Sequence, residues 1–196
     1  MAINLQKGQK ISLDKEAGVK LTNITMGLGW DPVKTKGIFG FGSKTQEVDL
    51  DASCILFDEQ GKQTDAAWFR QLKSKDGSIV HTGDNRTGAG DGDDEQIIVK
   101  LNDLPQQYTK VVFVVQIYKG LENKQSFGMV KNAFIRAVDG KKREMVRFDL
   151  SGGAAYENCR SMLFAEMVRE ADGWKFNALG TPSASDSFVE WLKKFA

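Results

Sequence analysis

Fifteen consecutive residues, His81-Thr82-Gly83-Asp84-Asn85-Arg86-Thr87-Gly88-Ala89-Gly90-Asp91-Gly92-Asp93-Asp94-Glu95, hold the side chains whose types and spacing most clearly suit a chemical task. Five carboxylates (Asp84, Asp91, Asp93, Asp94, Glu95) and the amide oxygen of Asn85 share this stretch, opposed by Arg86 alone. Acids this crowded repel one another unless some stay protonated or a cation sits among them. The four interleaved glycines let the backbone turn tightly and point its carbonyls inward. The economical reading is a hard-cation site for one or two Ca²⁺ ions, because calcium takes roughly six to eight oxygens from carboxylates, amides, carbonyls and water. In an extended stretch Asp91, Asp93 and Glu95 project to one face and Asp94 to the other. A turn at Gly88–Gly92 then brings Asp84 and Asn85 against them. Asp31, after Gly27-Leu28-Gly29-Trp30, and Asp49 and Asp51, at the start of a strand, are further acids available to complete the shell.

Other cation chemistries fit less well. An EF-hand is excluded, since Gln96 stands where its turn glycine belongs and Asn102 where its bidentate glutamate belongs. A repeated calcium-binding nonapeptide array is excluded because the block occurs once. Magnesium prefers fewer protein ligands and keeps its waters. Zinc lacks ligands in a chain with one histidine and two cysteines. A solvated acidic run without a specific task is the plain alternative, and the regular interleaving of glycines with Thr82, Asn85 and Thr87 speaks against it.

No catalytic constellation emerges. Asp49-Leu50-Asp51-Ala52-Ser53 faintly matches the D-x-D-x-T nucleophile motif, but that motif follows a buried parallel strand and Lys44-Thr45-Gln46-Glu47 precedes it here. The acids around Gly88-Ala89-Gly90-Asp91-Gly92 would repel a phosphate. His81 has no nucleophile elbow to serve and reads as a loop-orienting or partly exposed residue. Trp30, Trp68, Trp174 and Trp191 read as core or helix-packing residues.

The elements that must carry these residues are short and β-patterned. Candidate strands lie near 19–28, 48–57, 66–74, 78–82, 96–101, 110–118, 132–138, 143–150, 160–170 and 174–179. The pairs Asp76-Gly77, Asp139-Gly140 and Asp172-Gly173 mark type I′ hairpin turns. Regular hairpins with few helical patterns predict a mostly β fold, an antiparallel β-sandwich of two sheets. One C-terminal helix is predicted by the Ser187/Glu190 capping box and the stripe Phe188, Trp191, Leu192, Phe195. A minor helical turn is expected around 121–131. Lys34–Gln46 reads as a glycine-containing loop carrying Ile38, Phe39 and Phe41. No repeat or linker divides residues 1–196, so a single domain is expected.

Composition narrows the class. The 196 residues are 41% hydrophobic and 27% charged, with a net charge of +1. The acidic block carries −4, which leaves the rest of the chain at +5, spread thinly. A duplex nucleic-acid binder would concentrate its basic charge on one face. Cys54 and Cys159 have no CxxC spacing and read as reduced thiols of a cytoplasmic protein. The N-terminus shows no signal-peptide pattern, and the longest apolar run, Val111–Val115, is too short to span a bilayer.

These motifs taken together resemble the TerD family of tellurium-resistance and bacterial stress proteins. The matching stretches are Gly27-Leu28-Gly29-Trp30-Asp31, Asp49-Leu50-Asp51-Ala52-Ser53, Asp76-Gly77, His81 to Gly88 with Gly90 to Glu95, Phe127-Gly128-Met129-Val130 and Phe148-Asp149-Leu150. The resemblance implies a two-sheet β-sandwich holding calcium in its acidic loop. It also implies a non-catalytic role in bacterial stress responses that include tellurite resistance, with phage and colicin resistance in some gene clusters. Ligand roles carry over to Asp31, Asp84, Asn85, Asp91, Asp93, Asp94 and Glu95, with Asp49 and Asp51 following. Partners would be other stress and tellurium-resistance proteins, with peripheral association at the inner membrane face. The implied activity is that of a Ca²⁺-dependent sensor or scaffold. A competing expectation is a metal-dependent hydrolase or a tellurium-modifying enzyme that uses the same acids. Cyclic-nucleotide binding, credited to some relatives, is a third.

Overall fold

The computed structural model describes residues 3–4, 8–12, 14–15, 18, 20–36, 43–89, 92–151 and 153–194. In chain order the strands are β1 (Ile3–Asn4), β2 (Lys10–Ser12), β3 (Asn23–Asp31), β4 (Val33–Lys36), β5 (Ser43–Gln46), β6 (Leu50–Phe57) and β7 (Gln63–Ala67). They continue with β8 (Ile79–His81), β9 (Glu95–Lys100), β10 (Lys110–Ile117), β11 (Lys131–Asp139), β12 (Glu144–Asp149), β13 (Ser161–Glu170) and β14 (Gly173–Ser183). A 3-10 turn at Phe127–Met129 and one helix, α1 (Phe188–Lys194), complete them.

Alternation along the strands sorts them into two six-stranded sheets. The first has the order β1-β12-β11-β3-β9-β8 and the second β2-β14-β13-β10-β6-β7. Neighbours are antiparallel except at one edge, where β1 runs parallel to β12. Ile24, Met26, Leu28 and Trp30 of β3 face Leu50, Ala52, Cys54 and Leu56 of β6 across the main core. The opposite face of β6 and β10, with Ile55, Phe57, Val112 and Val114, packs under Phe188 and Trp191 of α1. The second sheet is thus covered on both sides. A doubly covered strand reads as a continuous apolar run, which accounts for Val111–Val115.

Several local expectations shift. The strand placed at 66–74 forms earlier, as β7, because the buried Asp65 carboxylate draws the following chain into turns. It accepts hydrogen bonds from Ala66 N, Gln71 Nε2 and Lys75 N. Asp139-Gly140 is not a two-residue turn. Asp139 Oδ1 accepts from Lys141 N and Arg143 N, and Lys142 takes the positive φ of 60° that closes the longer loop. Within the predicted 34–46 loop, β4 and β5 pair as a ribbon. Ile38, Phe39 and Phe41, and Phe195 of the helical stripe, lie outside the described residues.

Trp191 is the clearest test of the outer layer. It is buried, and its Nε1–H donates to Ser161 Oγ at 2.9 Å. Trp191→Ala is expected to cost about 3–5 kcal/mol in urea denaturation. Unchanged stability would show that α1 is not part of the cooperative fold.

Candidate functional site

The acidic loop joins β8 to β9 and is pinned to both sheets. On the outer face of β3 a side chain at Gly27 would collide with the Asp93 carboxylate, and one at Gly29 with the Gly92 carbonyl and the Phe134 ring. These two glycines are the floor on which the returning loop lies. Gly88, at φ +64°, lies against the Trp30 indole in the same manner.

The second anchor crosses to the other sheet. Residues Leu50–Phe57 of β6 pair with β10, but β7 covers only Cys54–Phe57 on the other side. Ala52 therefore faces a gap, and two side chains fill it. Glu95 Oε2 accepts from Ala52 N at 2.7 Å, while Glu95 Oε1 accepts from Asn85 N at 3.2 Å. Gly83 N donates to His81 Nδ1 at 3.2 Å, which leaves the ring proton on Nε2, 3.1 Å from the Ala52 carbonyl oxygen. His81 is thus a buried loop-orienting residue that does not reach the surface.

The expected ligands separate into groups. Asp93 is bound by Arg136 Nε at 2.7 Å and Gln96 Nε2 at 3.1 Å. Asp94 accepts from Trp30 N and Asn85 Nδ2, both at 2.9 Å, and burial with neighbouring Asp93 and Asp31 moves its pKa up. Asn85 Oδ1 accepts from Thr87 N and Gly88 N, closing a turn. Asp31 is exposed and takes a bond from Asn132 Nδ2 at 2.6 Å. Glu95 is wholly buried, and desolvation holds its pKa above the usual range despite His81 and Ala52. Asp91 lies outside the described residues.

Asp49, Asp51 and Asp84 come together, with one oxygen of each within 4.8 Å of the others. Asp49 and Asp51 stand at the start of β6 and Asp84 enters from the loop, so both sheets contribute. Phe69, Tyr118 and Arg86 complete a pocket of about 290 Å³, with Arg86 Nε 3.9 Å from Asp49 Oδ2. Asp51 is only 2% exposed. Its Oδ2 and Asp49 Oδ1 are buried without a hydrogen-bond partner. Desolvation, reinforced by Asp84 and Glu95, lifts the Asp49 pKa from 3.8 to about 6. Desolvation, then Glu95, Asp49 and Asp84, lift that of Asp51 to about 8. Orphaned, crowded, charge-disfavoured oxygens are the donor set a hard divalent cation satisfies. The residues fit Ca²⁺.

The TerD domain family matches this chain over residues 1–195. The chain belongs to the TerD family. It is similar to the tellurium resistance protein TerX of Serratia marcescens, at 52% identity over 100% of each chain. Tellurium resistance protein TerD of Alcaligenes sp is 44% identical, covering 92% of this chain and 90% of the relative. Stress response protein SCP2 of Bacillus subtilis (strain 168) is 46% identical over 92% of each. A crystal structure of a TerD homologue from Streptomyces coelicolor A3(2) superposes with a TM-score of 0.71 at 21% identity, covering 90% of this TerD-family chain and 99% of that one. That likeness supports the fold. Among the described residues no helix is long and apolar enough to cross a membrane.

The raised carboxyl pKa values set a pH dependence. A carboxyl that holds its proton more tightly folded than unfolded stabilises the fold at low pH, and the contribution fades as pH rises through the folded pKa. In chelator, stability is expected to fall between about pH 4 and about pH 8, the window of Asp49 and Asp51. Denaturation midpoints at stepped pH measure this, and a profile rising across that window would contradict it.

Proposed function

We propose that this TerD-family protein is a non-enzymatic calcium-binding stress protein that serves tellurite resistance as a Ca²⁺-dependent sensor or scaffold. The observation that carries the reading is the Asp49–Asp51–Asp84 cluster with its two orphaned buried oxygens. These three residues would hold the ion, which when bound supplies positive charge and cross-links the two sheets. Asn85 links Asp84 to the pinned part of the loop through Glu95 and Asp94. Filling the cluster would therefore stiffen the loop surface, which we read as the face offered to partner proteins of the same stress response. The family names of TerX, TerD and SCP2 support the cellular role.

Two of the chain's reactive groups, His81 and Cys54, are withdrawn from the pocket. His81 has both ring nitrogens engaged. Cys54 is buried, and desolvation pushes its thiol up to about 12. Neither is presented to the pocket as a base or nucleophile.

Calorimetric titration with Ca²⁺ tests the proposal. Binding is expected to raise stability by about 2.7 kcal/mol when free ion is about a hundred times Kd. Asp84→Asn should weaken binding while leaving stability in chelator equal or somewhat raised, because it removes an exposed charge that repels Asp49 and Asp51. Asp93→Asn should instead lower stability with and without calcium, because it breaks the Arg136 ion pair. No heat and no thermal shift at millimolar Ca²⁺ would remove the reading.

A further inference from the structure

Ser53 and Gln116 are buried polar residues that the cluster leaves unexplained. Residues Leu50, Ala52, Cys54 and Leu56 of β6 point into the main core, so Asp51 and Ser53 share the opposite face with Ile55 and Phe57. In the adjoining ladder Gln116 lies opposite Asp51, and Val114 opposite Ser53. Residues paired across a ladder project to the same side. The Gln116 side chain also favours the charged form of Asp51, as a neighbouring amide does. Of the seven buried side-chain atoms without a partner among the described residues, four fall on this patch: Asp49 Oδ1, Asp51 Oδ2, Ser53 Oγ and Gln116 Oε1. Ser53 is wholly buried and Gln116 is 4% exposed.

Unpaired buried oxygens are costly, and four on one face of adjoining strand ends point to a shared guest. The amide oxygen of Gln116 can only accept, as can an ionised carboxylate. A water molecule brings two protons and leaves part of this set unpaired, whereas a cation serves every oxygen around it. Three carboxylates also supply few of the oxygens that calcium takes.

We propose that the cation site continues inward past Asp49, Asp51 and Asp84, with Gln116 giving its Oε1 to the ion and aligning Asp51, and Ser53 forming the floor. This rests on the cluster being a cation site. The neutral wall raises the ligand count without adding repulsion and favours Ca²⁺ over the smaller, more strongly hydrated Mg²⁺.

The test is calorimetric titration of the full chain with Ca²⁺ and with Mg²⁺, paired with melting curves in chelator, for wild type, Gln116→Leu and Ser53→Ala. Gln116→Leu is expected to weaken Ca²⁺ binding about 10- to 100-fold, the range for groups that support metal ligands, and to narrow the preference over Mg²⁺. Its melting in chelator should stay equal or rise, since an unpaired acceptor has been removed. Ser53→Ala should weaken binding in the same direction by a smaller factor, and it carries the test if Gln116→Leu does not fold. Wild-type Ca²⁺ affinity in both variants would overturn the inner wall while leaving the cluster standing. Absence of calcium binding by the wild type would overturn both.

Discussion

Mutual repulsion among crowded carboxylates, gathered around the buried Asp51, is the constraint around which this end of the sandwich is organised. Two full charges within 4.8 Å of each other repel by about 3 kcal/mol at an effective dielectric of about 20, and by less where solvent screens one of them, as at exposed Asp84. Asp49, Asp51 and Asp84 form three such pairs, with Glu95 buried nearby. A domain's entire stability is about 5–15 kcal/mol, so the cluster cannot stand fully charged without opposition. Arg86, 3.9 Å from Asp49 but largely exposed, offsets only part of the repulsion. A proton or a divalent cation must offset the rest.

The fold creates this crowding through an omission. β7 stops short of Ala52, and the gap is filled by Glu95 and His81 from the other sheet. That bridge draws the end of the β8–β9 loop down towards β6. The glycine floor of β3 holds the returning loop, so Asp84 comes to rest beside Asp49 and Asp51. Stabilising interactions elsewhere in the loop are thus what force the three acids together. Because the cluster draws on both sheets, an ion there would act on the sandwich as a whole as well as on one loop.

The sheet architecture was legible because β-sandwich strands announce themselves by alternation, as in Leu50, Ala52, Cys54 and Leu56. The acidic block was legible as a concentration of charge. How its members divide was not. Spacing suggests that Asp91, Asp93 and Glu95 share one face, yet Asp93 is taken by Arg136, 43 residues away, and Glu95 by Ala52, also 43 residues away. Such partners are set by strand order, which local spacing does not encode. Asp49 and Asp51 were legible as further acids available to complete the shell, whereas Gln116, next to the apolar run Val111–Val115, gave no sign of its place beside Asp51. Alternation assigns Asp51 and Ser53 to an outward face, and that this face is covered is decided by β10 and α1, which lie far along the chain. The same reasoning explains the hairpin at Asp139, where a side chain capping two backbone N–H groups overrode the Asp-Gly preference.

A crystal structure grown in millimolar calcium addresses the central claim most directly. The expected result is a single strong density peak between Asp49, Asp51 and Asp84, with oxygens about 2.3–2.6 Å away. Those three side chains turned apart, or bridged by the Arg86 guanidinium with no ion between them, would contradict it.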